Sequence, residues 1–465
     1  MKNILITIEN GFSSRYIVRS GLVNSLSSKI DGQIYIAVPN VINFVESVNI
    51  LMNNIKIIQQ PLLPTLPFIR HKLLELINQI QIFGMPNDPK YSALWIKKYI
   101  FKNNSNKSFS RKFFILFLAN IHSRFGVVRK LCKLIVCKYQ TDKNFTKILT
   151  ELKINEIVLD GISSLIPINT YWISSGKHLG IKTTTILTNW DHPTTRGHQT
   201  IESDKYLVWG NSMKEEMSKY QDLPSHKIKE VGSIIFDYYS NKAFLIHHNK
   251  HNYPNGQLNG NYILLLTNSP YFPHNFSIIK FVQSIIPNDK KLLVRLHPLY
   301  ANITFEKEMD HHKNFEKKHK NITYIYPKSE CRGLPGDMNM DEIQLSSLLV
   351  ANSNMIITTM STMVLDAIIL NKSLINIAFD WKKGELIPQK MSLQDYRIHV
   401  NRVKDSSNII HSRSKLEFKS MILKYLNNGQ HFSNKKQNIH HLVVKQECGQ
   451  IDGLVSERIV RHLIA

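Results

Sequence analysis

The sequence predicts an α/β fold made of two doubly wound domains, with a basic helical insert in the N-terminal domain. Strand-like and helix-like segments alternate over residues 4–58 and 154–220, and they alternate again over residues 262–381. Such alternation is typical of parallel sheets with helices packed on both faces. The predicted boundaries are residues 1–240 for the N-terminal domain, 241–260 for a polar linker and 261–465 for the C-terminal domain.

Composition narrows the classes of partner. The chain has 465 residues, 43% of them hydrophobic, and a formal net charge of +24. A strongly basic protein favours an anionic partner, such as nucleic acid, anionic lipid or a phosphate-rich substrate. The four cysteines lack the spacing of a zinc site, which predicts reduced structural thiols in a cytoplasmic protein. Neither a secretory leader nor an apolar run of about eighteen residues is found, so we predict no membrane span.

The first predicted strand leads directly into a polar loop. Asn10 and Gly11 follow the apolar run 4–8, at the end of the strand where open α/β sheets place ligand loops. The glycine series of a dinucleotide-binding loop is missing. We therefore predict a ligand loop of another kind. The predicted strands of this domain are residues 4–8, 33–38, 55–58, 154–159, 182–188 and 205–209.

A second polar loop, residues 189–197, follows the predicted strand 182–188. Asp191 in this loop can act as a general base on a hydroxyl, and Arg196 can pair with a phosphate or carboxylate. The alternative is structural, with Trp190 packed in the core and Asp191 capping a turn. The density of polar side chains at the ligand-binding end of the sheet favours the functional interpretation.

The predicted insert spans residues 61–142 and is strongly basic. Between Tyr91 and Thr141 there are eleven Lys and Arg residues but no Asp or Glu, and aromatic residues are interleaved among them. This composition suits an interfacial helix on anionic lipid. It also suits single-stranded nucleic acid. The third interpretation is a helical subdomain with a solvated basic face and a buried aromatic face.

In the second domain, residues 356–370 predict a strand, a hydroxyl-rich turn and a helix. Ser361 or Thr362 can cap the helix, whose N-terminus favours anions, phosphate above all. Thr362 and Asp366 are four residues apart and share one helix face, so a phosphate can lie at the cap and a ribose near the carboxylate. The alternative is an ordinary capped helix. The predicted strands of this domain are residues 262–267, 291–296, 323–326, 356–357 and 374–379.

Arg295 and His297 form the other candidate group of this domain. They flank Leu296 at the end of a predicted strand, so their side chains point to the same side. A histidine at this edge can donate a hydrogen bond to a leaving phosphate. The alternative is a surface histidine in a loop that Pro298 begins.

Two motifs in this order resemble a known group of enzymes. Residues 294–298, Val-Arg-Leu-His-Pro, followed later by Ser361-Thr362, resemble the HP and S/T motifs of bacterial surface-polysaccharide transferases. That group includes capsule proteins, polysialyltransferase-like and Kdo-transferase-like enzymes, and CDP-glycerol glycerophosphotransferases. The loop 189–197 is similar to a Trp-Asp loop of the capsule proteins. The resemblance implies the GT-B architecture of two Rossmann-like domains, with donor phosphates on His297, Ser361 and Thr362.

A third, partial match concerns the general base. Leu159-Asp160-Gly161 is similar to part of the acidic-acidic-Gly motif that carries the base in CMP-sialic acid enzymes, with Leu159 in the place of the first acid. Asp160 is therefore our second candidate for activating the acceptor, after Asp191. We expect no cofactor and no metal, because protein dipoles can stabilise the phosphates and no Asp-x-Asp pair lies near these loops.

The predicted function is transfer of a sugar from a nucleotide-activated donor to a glycan or lipid-linked acceptor in cell-surface polysaccharide biosynthesis, of capsule or lipopolysaccharide. The basic insert would hold the enzyme at an anionic membrane surface on the cytoplasmic side, and nucleic acid is not an expected partner. One alternative is a polyol-phosphate transferase that uses CDP-glycerol or CDP-ribitol. Another is a non-catalytic basic protein that binds lipid or nucleic acid, and a sugar-nucleotide epimerase is a lesser one.

Overall fold

A computed structural model of the chain divides into two compact units. The first unit comprises Met1–Ile235 together with Leu454–Ala465, and the second comprises Phe236–Gly453. The residues that the structure describes are 2–48, 52–87, 109–164, 166–195, 197–241, 262–272, 274–328, 334, 336–359, 361–379, 381–382, 398–403, 409–428 and 437–465. The predicted linker, 241–260, lies outside these residues except for Asn241.

The first unit is built on a parallel sheet of seven strands in the order β3-β2-β1-β4-β5-β6-β7. Its central strands are apolar and buried; all five residues of β2 are buried, as expected for a sheet with helices on both faces. The strands are β1 (Asn3–Thr7), β2 (Ile34–Val38), β3 (Ile55–Gln59), β4 (Ile154–Leu159), β5 (Lys182–Ile186), β6 (Lys205–Val208) and β7 (Ile228–Glu230).

The helices of this unit begin where the sequence supplies caps. Asn40 and Asp142 accept hydrogen bonds from backbone N–H groups at the starts of α3 and α7, and Pro167 occupies the first turn of α8. The helices are α1 (Gly11–Ser13, continued by a π-helical stretch Ser14–Arg19), α2 (Leu22–Ser27), α3 (Val41–Ser47), α4 (Phe68–Phe83), α5 (Phe109–Arg124), α6 (Gly126–Gln140), α7 (Lys143–Glu151), α8 (Pro167–His178), α9 (His192–Thr195) and α10 (Asn211–Gln221). A short helix, α11 (Ile234–Asp237), begins in the last two residues of this segment and ends in the first two of the second unit.

The predicted insert forms three helices in its described part. α4, α5 and α6 pack against one another, and the remaining residues of the basic stretch, 88–108, lie outside the described part of the chain. No helix among the described residues combines the length and the apolar character that crossing a membrane requires. The helical prediction for the insert is therefore confirmed where the structure describes it.

The C-terminal helix, Val455–Ile464, differs from the predicted domain boundary. The predicted boundaries assign it to the second domain, whereas it belongs to the first unit. Its apolar face is buried, Arg458 Nε donates to the carbonyl of Val231 at 2.7 Å, and Lys205 Nζ donates to the carbonyl of His462 at 2.6 Å. Amphipathic periodicity predicts that a helix has a buried face but not which sheet that face covers.

The second unit is built on a parallel sheet of six strands in the order β10-β9-β8-β11-β12-β13. Leu292, Val294 and Leu296 pack on one face of this sheet, within a core that also contains Trp381 and Phe418. Its strands are β8 (Tyr262–Leu266), β9 (Lys291–Arg295), β10 (Ile322–Ile325), β11 (Met355–Thr358), β12 (Leu374–Ile377) and β13 (Ile409–Ser412). Its helices are α12 (Asn275–Ile285), α13 (Glu306–Lys318), α14 (Met340–Asn352), α15 (Met363–Ile369), α16 (Ile398–Val403), α17 (Lys415–Asn428) and α18 (Gln437–Cys448).

Each sheet has one point where the strand order reverses. In the first unit this point lies between β1 and β4, and in the second it lies between β8 and β11. Loops that leave the carboxyl ends of strands at such a point diverge and form the usual ligand crevice of an open α/β sheet. The side chains on these loops are therefore placed where a ligand would bind.

Candidate functional site

His297 has a defined tautomer in the second unit. Its Nδ1 accepts a hydrogen bond from the backbone N–H of Leu299 at 3.2 Å, which caps the 3-10 turn Pro298–Ala301. A neutral imidazole that accepts at Nδ1 carries its proton on Nε2. The backbone N–H of His297 donates to Thr267 Oγ1 at 2.9 Å, which fixes the residue to the loop after β8. In this tautomer Nε2 is the ring nitrogen that can donate a hydrogen bond.

Hydrogen bonds join three loops at the switch point of this sheet. Asn275 Oδ1 accepts from the backbone N–H of Asn268 at 3.1 Å, and Asn275 Nδ2 donates to the carbonyl of Ser269 at 3.0 Å. Asn268 Oδ1 accepts from Thr359 Oγ1 at 2.6 Å. Asn268 and Thr359 both line a narrow pocket at the ends of β8 and β11. Together with the hydrogen bond from the His297 N–H to Thr267, these contacts connect the loops after β9, β8 and β11.

Ser361 and Thr362 lie at the start of α15, immediately after this loop. Both side chains are partly exposed. Thr362 occupies the cap position, but its side chain makes no capping hydrogen bond, and α15 has seven residues. A helix of only seven residues has a small dipole, so any phosphate contact here rests on the hydroxyl groups more than on the helix. The predicted donor contacts of Ser361 and Thr362 stay predictions.

Arg295 lies in a buried ion pair. Its Nη2 donates to Glu342 Oε2 at 2.7 Å, and the two side chains are 6% and 9% exposed. Arg295 Nη1 is buried and has no hydrogen-bond partner among the described residues. An unpaired buried donor is uncommon in a folded protein and calls for an explanation, such as a ligand. The pair holds Arg295 at the carboxyl end of β9, two residues before His297.

Breaking this ion pair should destabilise the second unit strongly. Glu342→Leu leaves the Arg295 guanidinium buried without a counter-charge, which should cost about 3–5 kcal/mol and lower the Tm measured by calorimetry. The double variant Arg295→Met, Glu342→Leu should recover much of the loss, because neither charge is then buried. The exposed Glu308→Leu serves as the control. Equal Tm values for Glu342→Leu and Glu308→Leu would contradict a tightly coupled pair.

Asp366 is held by a tyrosine. It is 5% exposed, and its Oδ1 accepts a hydrogen bond from the Tyr239 hydroxyl at 2.6 Å. Burial and the nearby Asp366 carboxylate raise the pKa of Tyr239 well above its ordinary value, so the phenol stays protonated as a donor. This contact accounts for one carboxylate oxygen. The predicted contact of Asp366 with a ribose or sugar hydroxyl stays a prediction.

Asp160 is a buried carboxylate at the switch point of the first unit, where it accepts hydrogen bonds from three residues. The residue is fully buried; Oδ1 accepts from Thr7 Oγ1 at 3.0 Å and from Asn169 Nδ2 at 3.1 Å, and Oδ2 accepts from the backbone N–H of Glu9 at 2.8 Å. Burial raises the pKa of this carboxyl. A general base has to reach the hydroxyl that it deprotonates. A carboxylate with no exposed surface and three donors does not meet that requirement and instead ties the loops after β1 and β4 together.

Glu9 is a further carboxylate at this edge, and it is not among the predicted site residues. It is partly buried directly after β1, and Gln60 Nε2 donates a hydrogen bond to its Oε1. Burial, followed by the negative charge of Asp160, raises the pKa of Glu9 from 4.5 to about 7, against the opposing effect of Gln60. A carboxylate poised near neutral pH can accept a proton from an acceptor and release it again.

The remaining predicted loop residues make structural contacts. Asn10 Oδ1 accepts from the backbone N–H of Ser13 at 3.0 Å and caps α1, while Gly11 is buried within it. Trp190 is buried, and Asp191 Oδ2 accepts from Thr195 Oγ1 at 3.0 Å at the start of α9. These contacts match the packing and capping alternative for the loop, and the ligand roles of the four residues stay predictions. Arg196 lies outside the described residues.

Comparison with known proteins identifies the fold. No protein-family model matches the sequence, and no curated protein matches it. Among solved structures, the S. aureus MnaA–UDP co-structure has 10% identity and a TM-score of 0.51 over 100% of this chain and 96% of that chain. UDP-GlcNAc 2-epimerase from Neisseria meningitidis, bound to UDP-GlcNAc, has 10% identity and a TM-score of 0.50 over 100% of both chains.

A third similar structure is the wall teichoic acid polymerase TagF, in a CDPG soak. It has 10% identity and a TM-score of 0.50, over 99% of this chain and 88% of that chain. Identities this low carry no conclusion about activity. Together with the two parallel sheets, the comparisons confirm the predicted fold class, and the chain has the two-domain, Rossmann-like GT-B architecture.

Proposed function

We propose that the chain is a glycosyltransferase that moves a sugar from a nucleotide-activated donor to a glycan or lipid-linked acceptor in cell-surface polysaccharide biosynthesis. The observation that carries this proposal is the geometry of His297. Its Nδ1 accepts from Leu299, so its proton lies on Nε2, at the carboxyl edge of a sheet whose loops are tied together beside it. An imidazole N–H fixed in this way suits an oxygen that gains negative charge.

The second unit binds the phosphate groups of the nucleotide-activated donor in this proposal. His297 donates to the leaving phosphate, and the hydroxyls of Ser361 and Thr362 contact the phosphates from the loop after β11. Arg295 Nη1 supplies a further donor, which accounts for a buried guanidinium nitrogen that lacks a partner among the described residues. The similar structures of MnaA and of the Neisseria enzyme contain UDP and UDP-GlcNAc, which supports a nucleotide ligand for this fold.

The first unit supplies the base that activates the acceptor hydroxyl. Glu9 replaces Asp191 and Asp160 as our first choice for this role, because its pKa of about 7 matches a group that gains and loses a proton near neutral pH. Asp191 remains the second choice. The fully buried Asp160 positions Glu9 through the hydrogen bond to its backbone N–H and raises its pKa through charge repulsion.

A panel of donors tests the proposal directly. The purified chain is heated with UDP-, GDP-, CDP- and CMP-activated sugars, and the matching donor should raise the Tm, since a ligand at a hundred times its Kd stabilises by about 2.7 kcal/mol. The same donor, radiolabelled, is then incubated with membrane extract, and label should pass to a glycan or lipid. The proposal would be refuted if no donor class produced a Tm shift and none gave transfer of label.

A sugar-nucleotide epimerase is the second candidate, because the Neisseria structure with a TM-score of 0.50 is a UDP-GlcNAc 2-epimerase. An epimerase needs no acceptor, whereas a transferase needs one for turnover. Incubation with donor alone, followed by chromatography of the nucleotide sugars, separates the two. A changed sugar on an intact nucleotide supports the epimerase.

A polyol-phosphate transferase is the third candidate, supported by the similarity to TagF. It would release CMP from CDP-glycerol or CDP-ribitol instead of transferring a sugar. Including both compounds in the thermal panel, with CMP release as the readout, distinguishes it from the glycosyltransferase.

A further inference from the structure

Helices α5 and α6 of the first unit expose apolar side chains on the faces that point away from their packed sides. On α6, Cys132 and Val136 are buried, whereas Val127 and Leu134 are 80% and 67% exposed. On α5, Ile115 and Ala119 are buried, whereas Phe113 is 65% exposed. Helices of a folded protein usually turn polar side chains toward water. Large exposed apolar patches mark binding surfaces.

The exposed side chains of α6 fall on a single stripe. Val127, Leu131 and Leu134 are spaced by four and three residues, so they share one helix face. Lys130 and Lys138 are exposed at positions on the same face. Phe113 and Phe117 are likewise four residues apart on the exposed face of α5. We call these seven residues the apolar-basic face.

The charged side chains of these helices are predominantly positive. α4, α5 and α6 together contain nine Lys and Arg residues and one acidic residue, Glu75. Arg129 and Lys133 lie on the other side of α6 and are paired with Asp222 and Glu202 at 2.8 Å and 2.6 Å, while Lys130 and Lys138 project from the stripe itself. Apolar side chains bordered by exposed lysines match the boundary between acyl chains and anionic headgroups.

We propose that the apolar-basic face binds the surface of an anionic lipid bilayer. The helices would lie in the plane of the interface, with the leucine and phenylalanine side chains below the headgroups and the lysines at headgroup level. In this arrangement the helices contact one leaflet of the bilayer. This partner surface does not depend on the proposed transferase activity, because lipid binding is measured without any donor.

Vesicle sedimentation tests the proposal with the 465-residue chain. We expect binding to vesicles of phosphatidylcholine mixed with phosphatidylglycerol, weaker binding in high salt, and little binding to phosphatidylcholine alone. The double variant Lys130→Gln, Lys138→Gln should weaken vesicle binding about 25-fold, since each lysine near an anionic surface contributes about five-fold to the affinity. Leu131→Asn, Leu134→Asn should weaken it at least about ten-fold.

Matched control variants remove similar groups elsewhere on the first unit. Ile42→Asn, Val45→Asn changes two exposed apolar residues of α3, and Lys29→Gln, Lys56→Gln removes two exposed lysines. Both controls should bind vesicles as the unmodified chain does. All replaced side chains are exposed, so each variant should keep the Tm of the unmodified chain.

Three outcomes would overturn the proposal. The first is absence of binding to the phosphatidylglycerol vesicles, and the second is equal binding by the face variants and the controls. The third is a dimer of the unmodified chain, detected by light scattering, that the double variant Leu131→Asn, Leu134→Asn converts to a monomer. In this outcome neither the dimer nor the monomer binds vesicles. That result would assign the face to a second copy of the chain. None of these outcomes bears on donor binding by the second unit.

Discussion

His297→Ala should weaken binding of the nucleotide donor roughly 10- to 150-fold, as measured by calorimetric titration. A hydrogen bond to a charged group contributes about 1.5–3 kcal/mol, and the alanine removes the Nε2 donor that we assign to the leaving phosphate. The turnover rate at saturating donor should also fall, by about 100-fold or more, because the phosphate gains charge in the transition state. The exposed His311→Ala in α13 of the same unit should change neither quantity.

Two conservative variants separate the phosphate contact from the structural one. An asparagine at position 297 places an acceptor near the site of Nδ1, so it can keep the hydrogen bond from Leu299 while it lacks the Nε2 donor. A glutamine has a donor near the site of Nε2 and lacks the Nδ1 acceptor. We expect His297→Gln to retain more donor binding than His297→Asn, and His297→Asn to retain more of the Tm. Full donor binding by His297→Asn would show that His297 acts only as a cap.

The sheets could be predicted from the sequence because their strands are apolar runs between polar turns. The prediction for residues 154–159 coincides with β4, and the other predicted strands agree with the structure to within two residues at each end. β7 and β13 were missed. Each is a short strand at the edge of its sheet and mixes polar with apolar residues, as in Ile-Lys-Glu and Ile-Ile-His-Ser. Such segments carry little periodicity, and their pairing depends on the neighbouring strand.

The candidate site was predictable in position but only partly in chemistry. The predicted strand ends place three residues at the carboxyl ends of parallel strands: His297, Ser361 and Asp160. The sequence does not reveal the ion pair of Arg295, because its partner Glu342 lies 47 positions away on another element. Burial and partners of this kind arise from tertiary packing, which a one-dimensional pattern does not contain.

Glu9 shows most clearly that the effects of tertiary packing cannot be predicted from the sequence. A carboxylate directly after a buried strand, at the predicted ligand edge, was a signal in the sequence. Its raised pKa, however, arises from burial and from the charge of Asp160, which lies 151 positions away, and Gln60 binds it from 51 positions away. The residue types that bind or catalyse are visible in a sequence, whereas the shift that makes one of them a base near neutral pH is not.

Glu9→Gln should lower turnover by about 100- to 10,000-fold while it leaves the donor affinity of the second unit unchanged, because a positioned general base contributes about that much. Glu9 acts in its deprotonated form. With a pKa of about 7, turnover of the unmodified chain should rise as the pH increases through 7 and then level off, and the glutamine variant should lack this rise. Asp191→Asn, measured in parallel, tests the second choice for the base.

Stability gives an independent readout of the same carboxyl group. Because the folded state raises the pKa of Glu9 from 4.5 to about 7, the folded chain holds more protons at this site than the unfolded chain between those values. The free energy of unfolding should therefore fall as the pH rises through this window, and Glu9→Gln should remove that part of the slope. The exposed Glu46→Gln should leave both the slope and the turnover unchanged. A turnover profile of Glu9→Gln that still rises through pH 7 would exclude Glu9 as the base, whereas an unchanged stability slope would show that its pKa is ordinary.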